Sequence, residues 1–166
     1  TLHGEDITAL PPERRRIAYV PQDLALFPHM SVERNVAFGL RGRGAEQRGR
    51  LERLLHDFEL TALRGRRPDA LSRGQRQRLA LARALATEPA LVLLDEPSVN
   101  LDAASRRALH AGVRRLLAER GLAVLYVTHD QGEAAALAGH VAILAEGRLL
   151  QAGPMSAVLQ RPADAH

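Results

Sequence analysis

The chain of 166 residues contains no cysteine and no lysine, and aromatic residues make up only 3% of it. The absence of cysteine excludes disulfide scaffolds, thiolate metal sites and cysteine nucleophiles. Because aromatic residues are scarce, we expect an aliphatic core built mainly from Leu, Val and Ala. With 46% hydrophobic and 25% charged residues, the composition is that of a globular protein, and the length suits one domain with its own core.

Long apolar runs are absent as well. The longest, residues 122–127, is far too short to span a bilayer. The first residues also lack the charged-then-apolar form of a secretory signal, so the cytoplasm is the expected compartment.

All 23 basic residues are arginines, at a net charge of only +4. Arginines do contact nucleic-acid phosphates, but here they are spread along the chain among 19 acidic residues and no aromatic platform accompanies them. A solvated, arginine-rich surface is the favoured interpretation, and no nucleic-acid partner is expected.

The missing lysine excludes a phosphate-binding loop of the Gly-x-x-x-x-Gly-Lys-Ser/Thr type, because the lysine of that loop reaches the terminal phosphates of a nucleotide. The chain starts at Thr1 and enters strand-like sequence at once. We therefore expect a further segment to precede it.

Apolar runs typical of strands alternate with segments of helical period. Such alternation predicts an α/β layered domain with a mainly parallel sheet. A helical block at about residues 31–88 interrupts the alternation and indicates an inserted subdomain, which leaves 1–30 and 89–166 as the core. Buried strands are predicted at 17–20, 91–94 (buried on both faces) and 123–128, and paired strands at 141–144 and 148–151 around the turn Glu146-Gly147.

Two acidic residues end the apolar run 91–94. Asp95 would lie at the carboxyl end of a buried strand, where α/β sheets bind ligands, and its carboxylate could hold Mg²⁺ through the water shell of the ion. Glu96 would then face an attacking water as base or positioning group. The alternative is a plain helix-capping acid.

The segment Leu71-Ser72-Arg73-Gly74-Gln75 precedes a strong helical pattern. The Ser72 hydroxyl and the open backbone N–H of Gly74 would lie at the positive end of a helix dipole and suit a phosphate. The alternative is a helix cap alone. His129, which follows a strand, could donate a hydrogen bond to a γ-phosphate; the alternative is a structural histidine. Gln22, after another strand, could orient water or Mg²⁺; the alternative is a plain surface amide.

These residues follow one another in an order that resembles the nucleotide-binding subunit of ATP-binding cassette (ABC) transporters. Five motifs carry the resemblance along the whole chain: Val20-Pro21-Gln22-Asp23 is similar to the Q-loop, 71–75 to the LSGGQ signature, 91–96 to Walker B, 98–102 to the D-loop and Thr128-His129-Asp130 to the H-loop.

The resemblance implies a P-loop NTPase-like fold with ATP and Mg²⁺ as cofactors. Gln22 would sense Mg²⁺ and the γ-phosphate, Asp95 would serve the metal, Glu96 would be the catalytic carboxylate, and His129 would be the switch on the γ-phosphate.

The same resemblance implies a head-to-tail dimer, either a homodimer or a pair of ABC subunits. The signature residues Ser72, Arg73, Gly74 and Gln75 would bind the ATP held mainly by the second subunit, and Asp102 would communicate across the interface. The helical block would face transmembrane permease subunits at the cytoplasmic face of the membrane, where the subunit is peripheral.

Segments such as Leu10-Pro11-Pro12-Glu13-Arg14-Arg15 and Asn35-Val36-Ala37-Phe38-Gly39-Leu40 are similar to bacterial solute importers. Within importers, Pro12-Glu13-Arg14-Arg15 and Val20-Pro21-Gln22-Asp23 are most similar to molybdate-type ones, with sulfate and polyamine importers close competitors. The family's first strands, aromatic A-loop and Walker A loop are expected upstream. Arg73 and Val99 depart from the glycine and serine usual at these positions of the signature and the D-loop.

The leading hypothesis is therefore a fragment of an importer ATPase that cannot hydrolyse ATP alone. Two alternatives remain: a P-loop-less regulatory or interaction module, and an ABC-type ATPase outside transport.

Overall fold

The computed structural model describes residues 1–2 and 4–160, which form two compact units that divide between Val127 and Thr128. Residues 161–166 of the predicted core segment lie outside this range. The first unit contains, in order, β1 (Ile17–Val20), α1 (Val32–Phe38), α2 (Gly44–Asp57), α3 (Arg73–Ala86), β2 (Leu91–Asp95), α4 (Ala103–Arg120) and β3 (Ala123–Val127). The second contains α5 (Gln131–Leu137), β4 (His140–Ala145), β5 (Arg148–Pro154) and α6 (Met155–Gln160).

The three strands of the first unit form a parallel sheet in the order β1-β2-β3. Ile17 is paired with Leu91, and Leu91 with Ala123, so all three strands run in the same register. Their carboxyl ends consequently meet at one edge of the sheet. The predicted α/β architecture with a parallel sheet is confirmed.

The two faces of this sheet differ in burial. On β2, Val92 and Leu94 are fully buried, whereas the alternate residues are only half-buried. On β3, Leu125 is 52% exposed and Val127 is 43% exposed. The prediction that residues 123–128 form a buried strand is therefore wrong, and β2 is fully buried on one face rather than two. An apolar run indicates a strand, but successive side chains point to opposite faces and only packing decides which faces are covered.

Helices α1, α2 and α3 pack on one another through fully buried residues such as Val36, Leu55 and Leu79. Ser31 caps α1, since its hydroxyl accepts a hydrogen bond from the N–H of Arg34. Helix α2 begins at Gly44, after the glycine- and arginine-containing segment 41–43.

The second unit is an antiparallel β4-β5 hairpin with a helix on either side in sequence. Glu146 and Gly147 form its turn, both with positive φ (49° and 74°), a backbone shape that matches the twist of paired strands. The predicted hairpin is confirmed, with strands longer than expected. Across the described part of the chain, no helix combines the length and the apolarity needed to cross a membrane.

Candidate functional site

Gln22 and Glu96 meet at the carboxyl edge of the parallel sheet. Gln22 Nε2 donates to Glu96 Oε2 at 3.5 Å, although the two residues are 74 positions apart in sequence. Glu96 has a φ of 44°, in the left-handed region that non-glycine residues rarely adopt, and its N–H donates to the carbonyl of Val127 at 3.0 Å. Backbone held in this way is common at functional sites. The structure thus brings together two of the residues selected from sequence.

Asp95 is the last residue of β2 and is half-buried. The hydroxyl of Tyr19 donates to its Oδ2 at 2.9 Å. This hydrogen bond, followed by desolvation, raises the pKa of Tyr19 above its usual range, so the phenol remains a proton donor at neutral pH. Tyr19 was not among the sequence candidates, and only the strand register could have revealed it.

A cavity of about 230 Å³ opens beside this pair, lined among others by Gln22, Arg73, Glu96 and Val99. Arg73 and Val99 are the two positions where the motifs depart from the family pattern, and both lie on the cavity that holds the carboxylate of Glu96. The arginine therefore adds positive charge next to the site rather than at a remote surface.

Ser72 and Gln75 form a reciprocal cap at the start of α3. The Ser72 hydroxyl accepts from the N–H of Gln75 at 3.3 Å, and the Ser72 N–H donates to Gln75 Oε1 at 2.9 Å. Both side chains thus satisfy backbone groups of the helix, as the helix-cap interpretation predicts. The hydroxyl proton of Ser72 and the amide nitrogen of Gln75 are not used in this cap.

Gly74 is needed for close packing of α3 on α4. A Cβ at this position would lie 2.7 Å from Ser105 Oγ and 3.2 Å from Ser105 Cβ. Ser105 is itself fixed by Asp102, whose carboxylate accepts from the Ser105 N–H at 2.9 Å and from its hydroxyl at 2.8 Å. These hydrogen bonds, the backbone one first, lower the pKa of Asp102. Asp102 caps α4, and it also holds the side chain against which the signature segment packs.

Substitution of Gly74 with alanine is expected to destabilise the protein by about 1–3 kcal/mol, because the methyl group would overpack the contact with Ser105. The matched control is Gly112→Ala in α4, where a Cβ would meet no atom within 4 Å and the helix should gain stability. Urea unfolding of both variants measures the difference. Ser105→Gly should restore part of the loss in a double variant, and an unchanged midpoint for Gly74→Ala would contradict the packing.

The loop after Gln22 is tied to α3. Leu24 and Ala25 have positive φ values of 67° and 43°, and their carbonyls accept from the guanidinium of Arg83 at 3.1 Å and 2.7 Å. The same guanidinium lies 4.8 Å from the centre of the Phe27 ring. Burial lowers the pKa of Arg83, yet the group keeps its charge at any physiological pH.

Asn35 fixes the next part of this loop. The side chain is fully buried, and its Oδ1 accepts from the Phe27 N–H at 2.9 Å. Its Nδ2 lies 3.1 Å from the carbonyls of Phe27 and Ser31 and 3.2 Å from that of Met30. In the sequence, Asn35 is only part of a segment that resembles importers, and no individual role is predicted for it.

His129 belongs to the second unit and is exposed there. The residues around it are firmly held: Thr128 Oγ1 donates to the buried Glu133 at 3.0 Å and accepts from the Asp130 N–H at 3.0 Å. Asp130 caps α5 by accepting from the Glu133 N–H. The segment Thr128-His129-Asp130 is thus held in place at the start of α5.

Among residues 1–2 and 4–160, no cluster of three or more acidic or histidine side chains could enclose a metal ion. Mg²⁺ does not need one, since it keeps several waters and is usually held by one or two carboxylates together with substrate phosphates. Asp95, with Oδ2 already bonded to Tyr19, fits that limited role.

Residues 1–99 match the family model described as ABC transporter. The chain is 48% identical to the molybdate/tungstate import ATP-binding protein WtpC of Thermococcus kodakarensis, over 98% of this chain and 50% of that protein. It is also 48% identical to the Fe(3+) ions import ATP-binding protein FbpC of Pseudomonas fluorescens, over 95% of this chain and 45% of that protein. Other relatives are spermidine/putrescine and sulfate/thiosulfate import ATP-binding proteins.

Among solved structures, the chain is similar to an ATP-binding cassette in a dimeric, post-hydrolysis state bound to ADP and phosphate. The TM-score is 0.74 at 32% identity, over 86% of this chain and 65% of that one. The fold is thus of the P-loop NTPase-like class. The chain belongs to the ABC transporter family, which confirms the resemblance noted in the sequence. It spans about half the length of the curated relatives it matches.

Proposed function

We propose that the chain is part of the ATP-hydrolysing subunit that energises solute import through a membrane permease. The observation that carries the proposal is the pairing of Gln22 with Glu96 at the carboxyl edge of the sheet, beside Asp95. The names of the relatives, all import ATP-binding proteins, support transport over an ABC-type ATPase with another task.

In this proposal Glu96 is the general base that takes a proton from the attacking water, and Gln22 orients the carboxylate and the water. A carboxylate suits this role because it accepts hydrogen bonds only, and both the Gln22 amide and the attacking water can donate to it. His129 is proposed as a further contact to the γ-phosphate, on the basis of the motif Thr128-His129-Asp130.

Asp95 is the proposed residue for Mg²⁺, with Gln22 as a second contact. Bound Mg²⁺ would neutralise phosphate charge in the reaction. The other phosphate contacts must come largely from elsewhere, since residues 1–166 contain no lysine to grip the terminal phosphates. We therefore propose that this chain by itself does not turn over ATP and that the intact parent protein does.

A second subunit is part of the proposal. Ser72, Arg73, Gly74 and Gln75 stand at the amino end of a 14-residue helix, whose dipole and free N–H groups favour a phosphate. We propose that they bind ATP held by the facing subunit of a head-to-tail dimer and that Asp102 transmits the state of this contact through Ser105 and Gly74. The dimeric state of the solved relative that holds ADP and phosphate supports this arrangement.

Residues 31–88 are proposed as the subdomain that faces the permease, at the cytoplasmic face of the membrane. Phe38 is 64% exposed, and its ring packs on Phe27 with centres 4.6 Å apart. An exposed aromatic ring at the end of α1, packed on a half-buried ring of the loop that Asn35 and Arg83 fix, suits a protein contact surface.

Phe38→Ser is expected to reduce co-purification of the permease severalfold while the subunit stays folded, because an exposed aromatic anchor is removed. Leu144→Ser is the matched control, since Leu144 is 70% exposed in the second unit, outside the proposed subdomain. Pull-down of the permease with each variant, alongside circular dichroism, measures both properties. Equal recovery with the two variants would contradict the proposed surface.

The import proposal is tested by Mg²⁺-dependent ATP hydrolysis of the parent protein, in which Glu96 should be required. For the solute, the sequence segments that resemble molybdate-type importers and the WtpC relative support an oxyanion. Growth of a strain that lacks the parent protein, at limiting molybdate or limiting sulfate, tests this proposal. Growth unaffected by either limitation would point to the ferric-ion and polyamine relatives.

A further inference from the structure

Tyr19 lies on the sheet face that also carries Asp95. In the parallel register Tyr19 is paired with Leu93, and side chains two residues apart on a strand share a face. Asp95 lies two residues beyond Leu93 on β2. The Tyr19 side chain extends in that direction, and its hydroxyl donates to Asp95 Oδ2 at 2.9 Å. The flanking residues Ala18 and Val20 are buried on the opposite face, which fixes the direction in which Tyr19 points.

We propose that Tyr19 is a positioning residue for the metal-binding carboxylate, in that its hydroxyl occupies Asp95 Oδ2 and turns Oδ1 toward hydrated Mg²⁺. The inference rests on the proposed function and adds to it the group that orients Asp95. Among the described residues no hydrogen bond reaches Oδ1, so that oxygen remains for the ion and its waters.

A carboxylate with one fixed oxygen is a better partner for a hydrated ion than a rotating one. Hydrogen bonds to a metal-ligating carboxylate restrict its rotation before the ion arrives, and such outer contacts often affect metal affinity strongly. The alternative role for Tyr19 is a surface hydrogen bond without consequence, which its 54% exposure permits. The two roles differ in metal affinity rather than in folding.

The test is Tyr19→Phe in the intact parent protein, with the affinity for Mn²⁺, used as the paramagnetic substitute for Mg²⁺, measured by electron paramagnetic resonance in the presence of ADP. Loss of the hydroxyl is expected to weaken Mn²⁺ binding by about tenfold. The Mg²⁺ concentration for half-maximal ATP hydrolysis should rise in parallel, while the rate at saturating Mg²⁺ changes much less. Tyr126→Phe, the same change on the neighbouring strand β3, is the matched control and should leave both values unchanged.

Asp95→Asn separates this inference from the function on which it rests. Loss of Mn²⁺ binding in Asp95→Asn together with a shift in Tyr19→Phe supports both. If Asp95→Asn abolishes binding and Tyr19→Phe binds like wild type, Tyr19 is not a positioning residue although the proposed function stands. Unchanged binding in Asp95→Asn overturns the metal role of Asp95, and the inference with it.

Discussion

Glu96→Gln is expected to lower the ATP turnover of the parent protein by about 10²–10⁴-fold, the usual contribution of a general base. The amide keeps the size of the carboxylate and can still pair with Gln22, but it cannot accept a proton from water. Since the phosphates are held by other groups, nucleotide affinity should stay close to that of wild type. ATP-bound dimers should therefore accumulate.

Single-turnover hydrolysis and size-exclusion chromatography with Mg·ATP measure the two effects separately. Glu46→Gln is the control, because Glu46 is an exposed acid in the first turn of α2 and does not line the cavity beside Gln22 and Glu96. Turnover by Glu96→Gln at the wild-type rate would falsify the assignment of the base. Loss of nucleotide binding instead of turnover would show that Glu96 serves the structure of the site.

Asn35→Ala is expected to reduce the free energy of unfolding by about 3 kcal/mol, because it leaves the buried Phe27 N–H and several carbonyls without partners. The wild-type side chain is fully buried; its Oδ1 accepts one hydrogen bond, and its Nδ2, with two hydrogens to donate, lies within 3.2 Å of three carbonyls of residues 27–31. The loop that carries Phe27 should lose its conformation first.

Urea denaturation measures the change, and two further variants sharpen it. Asn35→Asp keeps the acceptor for Phe27 but places a second acceptor against three carbonyls, so it should also be destabilising. Gln47→Ala, which removes only a 3.5 Å contact to the Leu40 carbonyl, should have little effect. A stable Asn35→Ala protein would mean that water replaces the amide.

The motifs of the site could be predicted because each is local. An apolar run followed by Asp95-Glu96 predicts both a strand and the end of the strand at which the site is proposed, and Ser72 with Gln75 forms a cap within three residues. Tyr19, Arg83 and Ser105 escaped prediction because their partners are distant in sequence or depend on how two elements pack. Tyr19 and Asp95 are 76 positions apart, and Arg83 and Ala25 are 58 apart.

The burial of the faces of the sheet is predicted less well than the strands themselves, as β3 shows. Composition alone makes Leu125 and Val127 core residues, yet they lie on the face that stays exposed in residues 1–127. In physical terms, the sequence determines that a strand forms there, whereas coverage depends on neighbouring layers that no local pattern of β3 encodes. The α1 to α3 cluster was easier, since its apolar residues recur at helical period and face one another.

Arg83 connects α3 to the loop that follows Gln22. The amino end of α3 carries the signature residues. About 16 Å further along the helix, at a rise of 1.5 Å per residue, the Arg83 guanidinium donates to the carbonyls of Leu24 and Ala25. Because α3 is stiff over this length, a displacement of the loop that follows Gln22 would tilt the whole of α3 rather than bend it. If residues 72–75 bind nucleotide as proposed, removal of the Arg83 side chain would separate movements of this loop from movements of that site without changing any residue of the site itself.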